Sequence, residues 1–164
     1  PNKMNENIKT SLINQYNAVR NATESICSPL ETEDFVLQPL VDVSPPKWHL
    51  GHTTWFFENF VLKPFKNDYT LFSEDYSFVF NSYYESVGDR VIRVNRGNLS
   101  RPTVAQVYAY RKHVDQSMLH FFEHGALDRA SKGGQPGDLL LGCLRPVAPA
   151  YAGRVHGHGR PGDG

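Results

Sequence analysis

The fold is decided by the stretch Ser44-Pro45-Pro46-Lys47-Trp48-His49-Leu50-Gly51-His52-Thr53-Thr54-Trp55-Phe56-Phe57-Glu58. Its beginning predicts the start of a helix. Ser44 can cap the free amide groups, and Pro45 suits the first turn, where no N–H donor is needed. The apolar pattern continues to about Leu62, and Pro64 then disfavours further helix. We therefore predict a long helix from about 45 to 62.

The same stretch predicts a buried histidine. Trp48, His52 and Trp55 are spaced i, i+4 and i+7, so they share one helical face and His52 is expected to point into an aromatic interior. His49 is offset and lies nearer the edge. A neutral imidazole in such a place can bind a divalent metal, with its other nitrogen held by a further partner. It can equally be a core histidine with one hydrogen bond, and both interpretations stay open at this point.

Helical periodicity also dominates the chain on both sides. A first helix is predicted from about Asn5 to Ser25, with an apolar stripe made of Ile8, Leu12, Tyr16, Val19 and Ile26. The segment Phe72–Tyr84 is predicted to contain one or two helical turns, although residues 78–80 also fit a strand. A third long helix begins at a capping box of Thr103 and Gln106 and ends near Gly125. Its buried face is predicted to be Val107, Tyr110, Val114, Met118 and Phe121.

Three long helices predict an all-α fold, an antiparallel bundle whose stable form usually has four members. No fourth helix is evident, so we expect it to be incomplete or aberrant. A bundle without it is expected to leave Trp48, Trp55 and Phe121 partly exposed and to favour self-association.

A change of composition near Gly125 suggests two regions. Nineteen of the twenty aromatic residues precede Gly125, whereas ten of the thirteen glycines lie from Gly125 onward. Sequence rich in glycine and proline cannot offset the entropy of ordering. We predict a helical bundle domain at 1–125 and a Gly/Pro-rich, aberrant or disordered tail at 126–164. The abrupt change favours the hypothesis that this tail comes from a shifted reading frame or a foreign sequence.

Composition excludes several partners. The 164 residues include 17 lysines and arginines and 17 aspartates and glutamates, so no net charge attracts the chain to nucleic acid or to an anionic membrane. No apolar run reaches the length of a membrane span or a signal peptide. The two cysteines, Cys27 and Cys143, form no metal or disulfide motif, which is typical of a reducing compartment and predicts a cytoplasmic location.

An arginine-rich loop joins the last two predicted helical segments. It contains Arg90, Arg93, Arg96 and Arg101 within twelve residues. The planar guanidinium suits bidentate capture of a carboxylate, so the loop can bind an acidic ligand. The alternative is a solvated basic loop paired with surface acids.

The remaining histidines do not complete a metal site by their spacing. His113, His120 and His124 on the third long helix fit surface or capping positions. His156 and His158 form an H-x-H pair in the tail that no predicted secondary structure positions.

Three blocks carry a family resemblance. They are 44–58, quoted above, Phe80-Asn81-Ser82-Tyr83-Tyr84-Glu85-Ser86-Val87-Gly88, and Arg96-Gly97-Asn98-Leu99-Ser100-Arg101-Pro102-Thr103-Val104. In this order they resemble the signature blocks of bacterial ergothioneine biosynthesis sulfoxide synthases, also called hercynine oxygenases. The resemblance covers about Gln15 through Phe122. It implies a DinB-like four-helix bundle, followed in the family by a domain like the formylglycine-generating enzyme, which we expect to be absent here.

The resemblance also implies a chemistry. Members of that family use a non-haem Fe(II) held by three histidines and O2 to join the sulfur of gamma-glutamylcysteine or cysteine to hercynine, forming a sulfoxide. The first metal ligand corresponds to His52. The substrate-binding arginines correspond to Arg93 and Arg96 by their R-x-x-R spacing. No further catalytic residue is assigned.

One departure from the family is large. The other two iron ligands come from an H-x-x-x-H on the fourth helix, and 130–141 here contains no histidine. We therefore expect a fragment that does not retain Fe(II) and is inactive by itself. Two alternatives stay open: a stand-alone DinB-like metal-dependent thiol transferase, and a non-catalytic helical interaction domain.

Overall fold

The computed structural model describes residues 3–124, with side chains from residue 6 onward except at residue 85. This part of the chain is all-α and contains no strand, which confirms the predicted fold class. Its α-helices are α1 (Lys3–Cys27), α2 (Pro46–Phe57), α3 (Lys63–Phe65), α4 (Tyr76–Phe80) and α5 (Val104–His124). Short 3₁₀ turns lie at Asp34–Val36, Glu85–Val87 and Arg93–Asn98. The predicted fourth long helix, its aberrant character and the tail at 126–164 lie outside the described residues.

Helix α1 forms where the periodicity predicts it, but the predicted stripe is only partly buried. Leu12 and Tyr16 are buried, whereas Ile8, Val19 and Ile26 are exposed. The buried line instead passes through Arg20, whose guanidinium enters a hydrogen-bonded network with the other helices. The predicted apolar stripe is therefore wrong in part, because the charged residue Arg20 takes a core position.

Helix α2 begins one residue later than predicted and its start is not capped by Ser44. Pro45 is the N-cap, and no side chain caps it. The Ser44 hydroxyl instead accepts a hydrogen bond from Arg96 Nη1 at 2.9 Å. The helix continues through a π-helical segment, Glu58–Leu62, and then α3, so helical structure extends past the predicted end. Pro64 is tolerated at the first turn of α3.

The later elements follow the sequence more closely. Segment 76–80 is α-helical, so the strand interpretation of 78–80 is wrong. The capping box at the start of α5 is confirmed, because the Thr103 amide donates to Gln106 Oε1 at 2.8 Å and the Gln106 amide donates to Thr103 Oγ1 at 3.1 Å. All five residues of the predicted α5 face are buried.

The core lies between α1, α2, α4 and α5. Trp48, Trp55 and Phe121, which we expected to be partly exposed, are buried. The short helix α4 and the loops around it cover the face of α2 that a bundle of long helices alone would leave open. The expected sticky surface at these three residues is therefore wrong.

Buried charges join α1, α2 and α5. In this group, which we call the arginine network, Arg20 Nε donates to Asp115 Oδ1 at 2.7 Å and Arg20 Nη2 donates to Thr54 Oγ1 at 2.8 Å. Arg111 Nε pairs with Glu24 at 3.3 Å, and its Nη1 donates to the Leu50 carbonyl at 3.2 Å. Each of these two guanidinium groups thus has a carboxylate partner, the condition under which a buried charge is tolerated.

A buried carboxylate lies in the π-helical segment. Glu58 is 1% exposed and accepts hydrogen bonds from the Tyr69 and Tyr110 hydroxyls, each at 2.5 Å. Burial raises the pKa of both tyrosines, and the Glu58 carboxylate raises it further. Both phenols therefore remain protonated and act as donors. No helix within residues 3–124 is both long and apolar enough to cross a bilayer.

Candidate functional site

The site is built around a column of stacked side chains on α2. The His52 ring lies between the Trp48 ring, at a centroid distance of 4.6 Å and 13° between planes, and the Trp55 ring, at 5.5 Å and 18°. Arg96 extends the stack, since its Cζ is 3.5 Å from the Trp48 ring centroid. We call these four residues the histidine column. His52 lies between the two tryptophans, as predicted, but is only partly buried, and His49 is exposed at the edge, as predicted.

Helix α4 orients the imidazole. His52 Nδ1 is 2.7 Å from the carbonyl oxygen of Phe80. A carbonyl can only accept, so Nδ1 carries the proton, and in the neutral ring Nε2 then carries the lone pair. Trp48 Nε1 donates to the neighbouring Val79 carbonyl at 3.0 Å, which ties the same helix to the column.

Gly51 permits this close approach. A Cβ atom built on Gly51 would lie 2.1 Å from the Phe80 ring. Only a residue without a side chain therefore lets α4 pack against α2 closely enough for the Phe80 carbonyl to reach His52. Gly51 therefore permits the close packing of α4, and the adjacent His52 donates the hydrogen bond that this packing allows.

Burial keeps the imidazole neutral. The pKa of His52 is lowered mainly by burial and further by the positive charges of Arg96 and His49, while the hydrogen bond to Phe80 opposes the shift. A neutral ring with a free Nε2 lone pair is the form that binds a metal ion.

Arg96 is a buried cation with only neutral partners. It is 4% exposed, its Nη1 donates to Ser44 Oγ at 2.9 Å, and its Nη2 lies 3.4 Å from Ser82 Oγ. The salt bridges within the described residues include none to Arg96. Burial, assisted by the nearby Arg93 charge, lowers its pKa to about 10. A buried guanidinium of this kind can accept an anionic ligand without first breaking an ion pair.

Arg93 lies on the outer side of the same 3₁₀ turn. Residues i and i+3 of a 3₁₀ helix lie above one another, so Arg93 and Arg96 are neighbours, as the effect of Arg93 on the Arg96 pKa also indicates. Arg93 Nη1 is 3.6 Å from Asp42 Oδ1 at the surface, and its guanidinium packs over the Tyr83 ring. The solvated-loop alternative therefore fits Arg93 better than Arg96.

Unsatisfied polar atoms gather around the column. Within the described residues, three buried side-chain atoms lack a hydrogen-bond partner: Trp55 Nε1, Asn81 Oδ1 and Arg96 Nε. Trp55 and Arg96 belong to the column, and Asn81 follows Phe80, whose carbonyl holds His52. Such atoms are rare in folded proteins and each calls for an explanation. Their concentration here distinguishes this region from the rest of the core.

His52 is the one side chain of the column whose chemistry suits a metal ion, and within the described residues it is not accompanied by a complete set of ligands. Among residues 3–124 no group of three or more histidine, cysteine, aspartate or glutamate side chains is placed to hold a metal ion. His113 lies elsewhere, with Nε2 3.0 Å from the Thr70 carbonyl, and His120 and His124 lie at the end of α5. His156 and His158 lie outside the described residues.

Two features of the site could not be read from residue types. The Phe80 carbonyl is a backbone group, so the residue type at this position does not predict its role. Asn81 binds the loop through Nδ2, which donates to the Gly88 carbonyl at 2.8 Å. In the sequence, Asn81 is only one member of the second block, and its residue type does not predict this contact. A surface cavity of about 660 Å³, lined partly by Tyr76, Val79 and Arg101, does not include His52.

The described residues form a helical domain whose second helix carries an oriented imidazole stacked on Trp48, an indole that also contacts a buried arginine. Residues 15–142 match the DinB superfamily, and the chain belongs to that superfamily. A search of curated proteins found no match.

Proposed function

We propose that this DinB superfamily chain is the helical front domain of a non-haem iron-dependent sulfoxide synthase of ergothioneine biosynthesis. In this proposal His52 supplies one iron ligand through Nε2, and Arg93 and Arg96 bind the carboxylate of the thiol substrate. The observation that carries it is the His52 Nδ1 contact with the Phe80 carbonyl, because it leaves Nε2 available on a neutral ring. The three sequence blocks resembling that family meet at this ring and its neighbours.

The contacts of the three blocks support a shared site. The first block supplies His52 and Ser44, the second supplies the Phe80 carbonyl and Ser82, and the third supplies Arg96. Segments that are far apart in sequence are thus joined by hydrogen bonds of His52 and of Arg96, which both contact the Trp48 ring. Metal binding also occurs in some DinB superfamily members.

The described residues fit one position of a three-histidine iron centre. When bound, Fe(II) would supply O2 activation for joining the thiol sulfur to hercynine. This chain's own residues hold the imidazole in one tautomer, exclude water from its stacked faces, and place the positive charge of Arg96 against the neighbouring Trp48 ring, where it is available to a carboxylate. The stretch 130–141, where the family has its other two ligands, contains no histidine, so we expect the chain by itself to lack stoichiometric Fe(II) and sulfoxide synthase activity.

A reconstruction experiment tests the proposal. Residues 130–140 are replaced by Asn-His-Glu-Gln-Gln-His-Gln-Glu-Leu-Leu-Leu, which restores H-x-x-x-H, and Fe(II) binding is measured anaerobically by calorimetry. We expect one Fe(II) per chain in the reconstructed protein and loss of that site in His52→Asn. The matched control is His49→Asn, which should retain it. Binding that survives His52→Asn, or folded reconstructed protein without binding, would contradict the proposal.

A substrate test addresses the arginines. In the reconstructed protein with Fe(II) and nitric oxide bound, gamma-glutamylcysteine and cysteine should each bind and change the spectrum of the nitrosyl–Fe(II) centre. Arg93→Met or Arg96→Met should weaken the binding of these thiols by about 10-fold or more, as for loss of a charged contact. Arg101→Met, in the same loop but with its guanidinium exposed, is the control.

A non-catalytic interaction domain is the second candidate, favoured by one surface. The loop 37–43 and the turn 92–94 expose several aliphatic side chains, Leu37, Leu40, Val41, Val43, Ile92 and Val94. Gln38 joins the two segments, since its Nε2 donates to the Arg93 carbonyl at 2.9 Å and its Oε1 accepts from the Gly97 amide at 2.6 Å. The thiol transferase alternative also needs a histidine triad and is less well supported by the second and third blocks.

A further inference from the structure

The C-terminal end of α5 carries a pair of histidines that the proposed function does not use. His120 and His124 are one helical turn apart, with ring centroids 4.6 Å from each other. His124 is largely exposed, and its Nε2 lies 3.7 Å from Glu123 Oε2. Side chains at i and i+4 lie on the same helix face, so both imidazoles can reach one point in front of α5.

These two rings face a small cleft. Its volume is about 260 Å³ and its lining is Phe65, Lys66, Asn67, Asp68, His120, Phe121 and His124. Asp68 is close enough to His120 for the two to interact electrostatically, although its nearest partner is Lys66 Nζ at 2.7 Å. The cleft therefore combines two imidazoles on one wall with a carboxylate on the other.

We propose that His120 and His124 bind a divalent transition-metal ion that favours imidazole, such as Zn²⁺, at this cleft. Two histidines at i and i+4 on one helix face are a known arrangement for zinc, and imidazole suits late first-row metals. Since no third protein ligand is placed among the described residues, water completes the coordination, and the Asp68 carboxylate, paired with Lys66, lies nearby. The site involves neither His52 nor Arg96 and does not depend on the proposed function.

The probe is Zn²⁺, titrated calorimetrically into the full chain carrying His156→Asn and His158→Asn, which removes the H-x-H pair of the tail. We expect a binding event that weakens by about 10-fold or more in His120→Asn and equally in His124→Asn, because loss of a ligand costs at least as much as loss of its supporting partner. Asp68→Asn should weaken it less. His113→Asn, on the same helix, and His52→Asn are the matched controls and should leave it unchanged.

Side-chain NMR provides a readout that does not depend on the variants folding. In the chain that carries only His156→Asn and His158→Asn, Zn²⁺ should shift the Cε1–H resonances of His120 and His124 together and at the same metal concentration. The proposal is overturned if neither resonance shifts, if either variant retains full affinity, or if His52→Asn abolishes the binding instead.

Discussion

The two sides of α2 contain buried charges that are treated differently. On the side facing α1 and α5, Arg20 and Arg111 each contact a carboxylate, and Glu58 accepts from two tyrosine hydroxyls. On the side facing α4, the Arg96 guanidinium contacts only serine hydroxyls and an indole ring. The three unsatisfied buried side-chain atoms of the described region all belong to this second side.

This contrast distinguishes buried charges that stabilise the fold from buried charges that are available to a ligand. A buried charge whose partners are all present contributes to holding three helices in one arrangement, and breaking it is costly. A buried charge without a counter-ion lowers stability and is retained where a ligand needs it. The histidine column has this second character, which is why we assign function there and structure to the arginine network and Glu58.

The largest effect is expected on the structural side. Glu58→Leu leaves the Tyr69 and Tyr110 hydroxyls buried without an acceptor and should lower the free energy of unfolding by about 3–5 kcal/mol, measured by urea denaturation. Adding Tyr69→Phe and Tyr110→Phe removes the orphaned donors and should recover most of the loss. If the triple variant is no more stable than Glu58→Leu, the carboxylate is not held by these two phenols.

Gly51→Ala tests the close packing of α2 against α4. In an exposed helix this change usually stabilises by about 1 kcal/mol, but here the added Cβ meets the buried Phe80 ring. We expect destabilisation by about 1–3 kcal/mol, as for overpacking, and loss of the His52 contact with the Phe80 carbonyl. Phe80→Leu in the Gly51→Ala background should relieve part of the cost. A more stable Gly51→Ala protein would contradict the packing described here.

A matched pair of arginine variants compares the sides directly. Arg20→Met leaves Asp115 without its guanidinium and should cost about 2–4 kcal/mol. Arg96→Met removes a buried cation that has no carboxylate partner, and we expect a change of less than about 1 kcal/mol in either direction, despite the lost contact with Trp48. Chemical denaturation of both variants measures this. Equal losses would remove the distinction between the two sides.

The smallest effect is a dependence of stability on pH. Because the folded-state pKa of His52 lies below its ordinary value of 6.5, the unfolded chain binds more protons as the pH falls below about 6.5. Stability should therefore be full above that pH and decline on acidification, with a slope of at most about 1.4 kcal/mol per pH unit from this residue. The slope between pH 6.5 and 5 should be shallower in His52→Gln than in the natural chain.

The sequence predicted more of the helices than of their packing. The spacing of Trp48, His52 and Trp55 predicted a shared inward face, and Thr103 with Gln106 predicted the start of α5, because both signals are local. Ser44 illustrates the limit. It has the residue type of a helix cap, yet its hydroxyl binds an arginine 52 positions away, a competition that no local pattern contains.

The candidate site was predictable to a similar extent. His52 could be singled out from its position between tryptophans, whereas Arg93 and Arg96 were selected from four loop arginines only by the family resemblance. The tautomer of the His52 ring could not be predicted, because it depends on the Phe80 backbone carbonyl and on the close packing that Gly51 allows. The stripe on α1 was misplaced for a related reason, since apolar periodicity does not anticipate a buried arginine with a distant carboxylate partner.

A metal ligand at His52 requires a neutral imidazole that is protonated at Nδ1 and has a free lone pair on Nε2. A long-range ¹H–¹⁵N correlation spectrum of the histidine side chains at pH 7.5, assigned with His52→Gln, tests it directly. We predict an Nδ1-protonated neutral ring whose Nε2 has the shift of an unprotonated nitrogen. An Nε2-protonated or doubly protonated His52 would contradict the account and remove the basis for a metal ligand at this position.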